Sequence, residues 1–242
     1  MKKIVSLLLV AVLAIGLMAG CGEEKKTIVM GTNAEFEPFE YMQGGEIVGF
    51  DVEVAKKVAE KMDAELVIEN MQFTSLIAAL QTKKIDFIAA GMSITEERKE
   101  SVNFTTEYFD ASQVIIVPIG SDIAGKEDLV GKKIGVQLGT TGEIEAQAIE
   151  GSQVESYDAA YAAILDLSNG NLVAVVLDQM PAKKLTTDND KVMILDEELT
   201  VEAYAIAVNK DDEELLATIN EVIAELQESG EYDEIYNQFF GE

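Results

Sequence analysis

The chain has no histidine, a single cysteine and a single arginine in 242 residues. Without histidine there is no imidazole base and no imidazole metal ligand. With Cys21 alone there is neither an internal disulfide nor a multi-thiolate metal site. Positive charge is scarce too: 18 Lys and Arg stand against 45 Asp and Glu, a formal net charge of −27. Nucleic acid is therefore not an expected partner, because phosphate backbones are held by clustered cations. The chemistry must come from carboxylates, lysines, hydroxyls and shape. The acidity itself speaks to solubility, not to fold.

At the N-terminus Met1-Lys2-Lys3 leads into the apolar run Ile4–Leu17 and then Met18-Ala19-Gly20-Cys21, the layout of a secretory signal ending in small residues. The run is too short and wrongly flanked for a membrane span. Cys21 directly follows the small residues, an arrangement similar to a bacterial lipoprotein box; the alternative is ordinary signal cleavage nearby with Cys21 incidental. The expectation is a lipoprotein signal peptide over residues 1–20, cleavage before Cys21, a palmitate-bearing lipid there, and a charged tether over 21–26. That places the protein on the extracytoplasmic face of the cell membrane, held by its lipid.

The most informative stretch is Ile85–Phe104. Ile85–Ala90 is apolar apart from Asp86 and too brief for a helix, so it reads as a buried strand ending at Gly91-Met92-Ser93. Thr95 then has the look of an N-cap before Glu96-Glu97, which starts a short helix carrying Arg98. An arginine grips a carboxylate in a plane with two parallel hydrogen bonds, which lysine does not.

Around this stretch the pattern alternates strand and helix. Thr27–Met30 is a strand, Glu40–Met42 and Ile47–Phe50 a hairpin, Val52–Met62 a helix capped by Asp51, Leu66–Glu69 a strand and Leu76–Thr82 a helix. After a crossing near Asp110–Gln113 come strands at Val114–Pro118, Ile134–Val136, Val154–Tyr157, Leu172–Leu177 and Lys191–Leu195, with helices at Glu143–Ile149 and Ala159–Asn169. Ala203–Val208 returns the chain, and helices Glu213–Gly230 and Tyr232–Phe240 end it. Such alternation is α/β and implies mostly parallel sheets.

Ligands of open parallel sheets bind beyond the carboxyl ends of the strands. There stand Asn33, Ala90 through Ser93 with Arg98 just after, Gln137 through Gly142, and Asp178. The set matches an amino acid's shared carboxylate and ammonium. Arg98 suits the carboxylate, with the Gly139–Gly142 turn adding N–H groups and a hydroxyl; Asp178 suits the ammonium with the Ala90 carbonyl and Ser93. Asp178 is equally read as the cap of a helix that Pro181 enters in its first turn. Phe36 and Phe73, in loop sequence shortly after strands, are core or pocket walls.

Three runs carry a family resemblance: GFDVEVAKKVAEKM at Gly49–Met62, LIAALQTKKIDFIAAGMSITEERKESVNFT at Leu76–Thr105, and IGVQLGTTGE at Ile134–Glu143. On these the chain resembles the bacterial extracellular solute-binding proteins of family 3, the polar amino-acid receptors of ABC transporters of the glutamine, histidine and lysine/arginine/ornithine type. The resemblance implies a two-lobe periplasmic-binding-protein fold of type II. Each lobe is a mostly parallel sheet flanked by helices, and two hinge strands join them: lobe 1 from 27–112 and 203–242, lobe 2 from 113–202. It also implies a ligand set. Arg98 and Thr141 match the carboxylate ligands, Asp178 the ammonium ligand and Ser93 a hydroxyl contact. Ala90 and Gly91 match positions lending backbone atoms, and Phe36 and Phe73 the aromatic walls. Asn33, Asp51, Gln137 and Leu177 match positions near the ligand's side chain. Members selecting lysine or arginine commonly carry aspartate where Asn33 stands, so the amides of Asn33 and Gln137 point to glutamine while Asp51 keeps a cation open.

The implied activity is capture of a polar L-amino acid and delivery to a membrane permease, by a monomer that is not an enzyme and carries no cofactor or metal. The alternative is an enzyme on the same scaffold similar to cyclohexadienyl dehydratases. That chemistry needs a proton donor aimed at a leaving hydroxyl, and the residues gathered above offer no lysine for it.

Overall fold

The computed structural model describes residues 26–241, so the expected signal peptide, the expected lipid site Cys21 and the tether up to residue 25 lie outside the described residues. In chain order the first half runs β1 (Thr27–Thr32), β2 (Glu35–Phe36), β3 (Glu40–Gln43), β4 (Glu46–Val48), α1 (Phe50–Lys61), β5 (Glu65–Asn70), α2 (Leu76–Gln81), β6 (Phe87–Ile88), α3 (Glu96–Ser101), β7 (Asn103–Phe104) and β8 (Phe109–Ala111). The remainder runs β9 (Gln113–Pro118), β10 (Lys133–Gln137), α4 (Thr141–Gln147), β11 (Gln153–Tyr157), α5 (Ala160–Ser168), β12 (Ala174–Asp178), α6 (Gln179–Thr186), β13 (Val192–Glu198), β14 (Glu202–Tyr204), β15 (Ala207–Val208), α7 (Glu213–Ser229) and α8 (Glu231–Phe240).

These strands form two five-stranded sheets, ordered β5-β1-β6-β15-β7 and β11-β10-β12-β9-β13. In each sheet one strand runs against the other four: β15 lies antiparallel to β6 and β7, and β9 antiparallel to β12 and β13. Both reversed strands follow directly on a passage of the chain from one sheet to the other. The passages, β8 and β14, pair antiparallel with Tyr204 opposite Phe109 and Glu202 opposite Ala111. The result is the two-lobe α/β architecture with mixed sheets flanked by helices.

Local sequence explains most of the elements. In α1 Val54, Ala55, Val58 and Ala59 fall on one buried face, with Asp51 and Glu53 in the first turn and Lys61 in the last, matching the helix dipole. The helix begins one residue before its expected cap. Gly49, at φ 140°, is the N-cap and makes no side-chain bond, so Asp51 lies inside the first turn. The β6 strand is shorter than Ile85–Ala90 because only Phe87 and Ile88 pair; Asp86 instead accepts the Val29 N–H on its own carboxylate at 2.7 Å.

Helix α7 is capped by Asp212, whose carboxylate accepts the Leu215 N–H at 3.0 Å, and is closed at its other end by Gly230 in the left-handed conformation. Its buried stripe Leu215, Ile219, Val222, Ile223 and Leu226 faces α1. An aromatic cluster ties the chain's end to the passage strands. Phe109 stacks on Tyr204 at 5.8 Å and on Phe240 at 5.0 Å, and Phe39 meets Tyr204 edge-on at 5.0 Å. This cluster fixes where the Tyr204 hydroxyl points.

Candidate functional site

Four strands end at the seam between the lobes. From lobe 1 come β1, followed by Asn33, and β6, followed by Ala90 to Ser93; from lobe 2 come β10, ending at Gln137, and β12, ending at Asp178. The lobes touch there through specific bonds. Gln137 Nε2 donates to Asn33 Oδ1 at 3.0 Å, and Asn33 Nδ2 donates to the Met71 carbonyl at 3.1 Å. The two amides expected near the ligand side chain therefore engage one another across the seam.

Arg98 is the cation of this seam, only 8% exposed. Thr95 does cap its short helix, accepting the Arg98 N–H at 3.1 Å. Within the guanidinium, Nη1 donates to the Ser93 carbonyl at 2.6 Å and Nη2 to the Gly139 carbonyl of the other lobe at 3.0 Å. The group lies 5.2 Å from the centroid of the Phe73 ring, a cation–π contact. Burial pulls its pKa down, opposed by the charges of Asp178, Glu202 and Glu97. A cavity of about 420 Å³ opens beside it, lined by Phe73 and Thr74 on one side and Gly139 and Thr140 on the other. Of the residues matched to ligand contacts it touches Phe73 and Arg98, together with Gly139 and Thr140 of the turn before α4.

Facing Arg98 is Asp178, 4% exposed. Asp178 occupies the N-cap position of α6, yet its side chain makes no capping bond; Oδ1 accepts the Tyr204 hydroxyl at 2.5 Å instead. The cap reading thus holds for the backbone and fails for the carboxylate. Burial lifts the carboxyl to about 6, against the hydrogen bonds from Tyr204 and Gln113 and together with the charge of Glu202.

Glu202, on passage strand β14, carries the junction that sequence reasoning missed. Its Oε2 accepts Ser93 Oγ of lobe 1 at 2.5 Å and Thr141 Oγ1 of lobe 2 at 2.8 Å, while Oε1 accepts Thr200 Oγ1 at 2.8 Å. Thr141 Oγ1 in turn accepts Gln113 Nε2 at 3.0 Å. The hydroxyl expected to donate to a ligand carboxylate is therefore already donating to Glu202. Thr141 opens α4, two residues earlier than the expected start at Glu143. The signal for Glu202 was present as an alternation, Thr200, Glu202 and Tyr204, one polar face of an extended segment.

Behind the seam lies a buried acid pair. Asp51 accepts the Gly91 N–H at 2.9 Å and the Tyr108 hydroxyl at 2.8 Å on both oxygens. Its carboxylate is engaged by its own lobe, and so is the backbone donor of Gly91. Glu40, 1% exposed, lies against Asp51; burial and that neighbouring charge hold its pKa well above the usual carboxylate range. Asp51 is itself lifted to about 6 by burial.

Gly91 has φ 50°, and a Cβ there would fall 2.6 Å from the Phe36 ring, so glycine lets that ring lie on the backbone. Phe36 is buried, Phe73 half-buried, and Ala90 and Leu177 are both in the core. Among the described residues no group of three or more Cys, Asp and Glu is placed to hold a metal ion.

Residues 28–242 match the family model of the bacterial extracellular solute-binding proteins, family 3. The chain is 34% identical over 253 residues to the arginine-binding extracellular protein ArtP of Bacillus subtilis (strain 168), covering 99% of this chain and 98% of that one. Among solved structures, a mutant of ArgBP from T. maritima superposes with a TM-score of 0.86 at 46% identity, over 89% of this chain and 96% of that chain. An ancestral arginine-binding protein bound to arginine gives 0.86 at 41% identity, over 90% and 99%.

Proposed function

Because the chain belongs to the bacterial extracellular solute-binding proteins of family 3, we propose that it captures a cationic amino acid, arginine foremost, between its two lobes and delivers it to the permease of an ABC transporter. The observation that carries this reading is the buried pair of opposite charges at the seam, Arg98 and Asp178, with the guanidinium held from both lobes at once.

In this reading Arg98 takes the carboxylate and Asp178 the ammonium, with Ser93 and the backbone at Ala90 beside it. Phe36 and Phe73 flank the side chain, and Asn33 and Gln137 stand near its end. Three acids, Asp178 and Glu202 at the seam and the exposed Glu97, act on one arginine there, so the field at the seam favours a ligand of net positive charge over a neutral one. Charge-assisted hydrogen bonds contribute about 1.5–3 kcal/mol each, and several on one shielded zwitterion suffice for micromolar binding. Segments 27–112 with 203–242, and 113–202, are the bodies that close. Lipid on Cys21 tethers the receptor, as a monomer, to the extracytoplasmic membrane face. The relatives named above are binding proteins, which leaves the dehydratase reading without support.

Thermal unfolding tests this. The purified protein is stripped of carried-over ligand by unfolding and refolding, then challenged with each common amino acid. A ligand at a thousand times its dissociation constant adds about 4 kcal/mol to the folded state. Arginine, with lysine behind it, is expected to give the largest rise in Tm. A rise with glutamine alone assigns selectivity to the Asn33 and Gln137 amides, and no rise with any amino acid removes the receptor reading.

A further inference from the structure

A hydroxyl owns one proton, and an ionised carboxylate only accepts. Glu202 Oε2 receives the protons of both Ser93 and Thr141, one from each lobe, while Thr200 holds the other oxygen. Ser93 Oγ and Thr141 Oγ1 are thereby left with lone pairs alone for anything else, and Thr141 already uses one on the Gln113 amide. Lone pairs suit an ammonium and repel a carboxylate. The second consequence is charge. With Glu202 beside Asp178, two seam carboxylates, and the exposed Glu97 outside them, act on Arg98.

We propose that Glu202 is a positioning and specificity-determining residue of the amino-acid site, fixing the Ser93 and Thr141 protons away from the ligand's ammonium and adding a negative charge that favours an amino acid of net positive charge. This rests on the receptor reading above and adds the residue that sets its polarity. Glu202 sits on a passage strand, so both lobes are read by one carboxylate that belongs to neither sheet.

Glu202→Gln keeps an oxygen that accepts both hydroxyls and removes the charge. Isothermal titration of the purified protein and this variant uses L-arginine and L-citrulline, its neutral isostere. Loss of one negative charge near a cationic ligand is expected to weaken arginine by roughly tenfold and citrulline by less than about threefold, so their ratio falls. Equal losses for both ligands make Glu202 a structural support and overturn the proposal, as does an unchanged ratio. Wild-type protein that prefers citrulline or glutamine to arginine overturns the charge argument and leaves the receptor standing; wild-type protein that binds no amino acid ends both.

A second variant keeps Glu202 in place. Ser93→Ala removes the lone pair offered to the ammonium, so it is expected to weaken arginine and to leave 5-guanidinopentanoic acid, arginine without its α-amino group, unaffected. Equal weakening of the two would put Ser93 on the carboxylate and overturn the proton assignment.

Discussion

Burial lifts the Asp178 carboxyl to about 6, and an ammonium ligand pulls the other way, favouring the ionised form. The groups facing it are Tyr204 and Gln113, whose hydrogen bonds lower its pKa, and Glu202, whose charge raises it. Arg98 and Glu40 also interact with its charge. Two signs follow. For stability, the folded state holds this proton more tightly than the unfolded chain does. The contribution is full below the ordinary carboxylate pKa and lost as pH rises through about 6. For binding, only the ionised carboxylate pairs with the ammonium, so capture below that point releases a proton. Arginine affinity is therefore expected to be flat above neutral pH and to fall by about tenfold per pH unit on the acid side. Isothermal titration from pH 5 to 8, in buffers of different ionisation enthalpy, measures both the slope and the proton. A flat affinity with no proton released would mean that Asp178 does not receive the ammonium.

The elements around the seam meet through backbone as much as through side chains. Gly139, at φ 79°, stands before α4 with its carbonyl on Arg98, and a Cβ added there would fall 2.7 Å from Thr74 Cγ2 on the opposite lobe. That clash exists only where the lobes are together. Gly139→Ala is thus expected to weaken arginine several-fold, on top of a left-handed backbone cost of about 1 kcal/mol. Adding Thr74→Ala should restore part of the affinity and none of the backbone cost. A double-mutant cycle on dissociation constants and Tm separates the two, and strict additivity would show that the contact plays no part in capture. The elements themselves were largely legible: α1, α7 and the strands β9 and β12 announce themselves by apolar period and flanking caps. What escaped was non-local. Nothing near Asp51 shows that Gly91 and Tyr108 engage its carboxylate, 40 and 57 residues away. Glu202 lies just past the acidic run Asp196-Glu197-Glu198, where local sequence suggests a solvated charge. The positions of Arg98 and Asp178 at the seam were legible because each follows a strand whose end the pattern fixes, and Arg98 has no second arginine to compete with it.

At the scale of the molecule, the sequence carries 45 acids against 18 bases, and the seam is itself acid-rich. The chain lacks tryptophan and has seven tyrosines, one of which, Tyr204, bonds to Asp178, so part of the tyrosine emission comes from the seam. A field of this sign raises the local concentration of a ligand of net charge +1 and leaves a neutral zwitterion unaffected. Its reach is the Debye length, about 30 Å at 0.01 M ionic strength and 8 Å at 0.15 M. Steering acts before the lobes close. Buried contacts such as those of Arg98 and Asp178, once formed, are screened little by salt. Raising the salt should therefore slow arginine association several-fold, leave dissociation nearly unchanged, and leave citrulline association unchanged. Stopped-flow tyrosine fluorescence with both ligands across that salt range makes the measurement. Arginine association that ignores salt would confine the acidity to solubility; association and dissociation that both respond would place the governing charges in contacts that water still reaches.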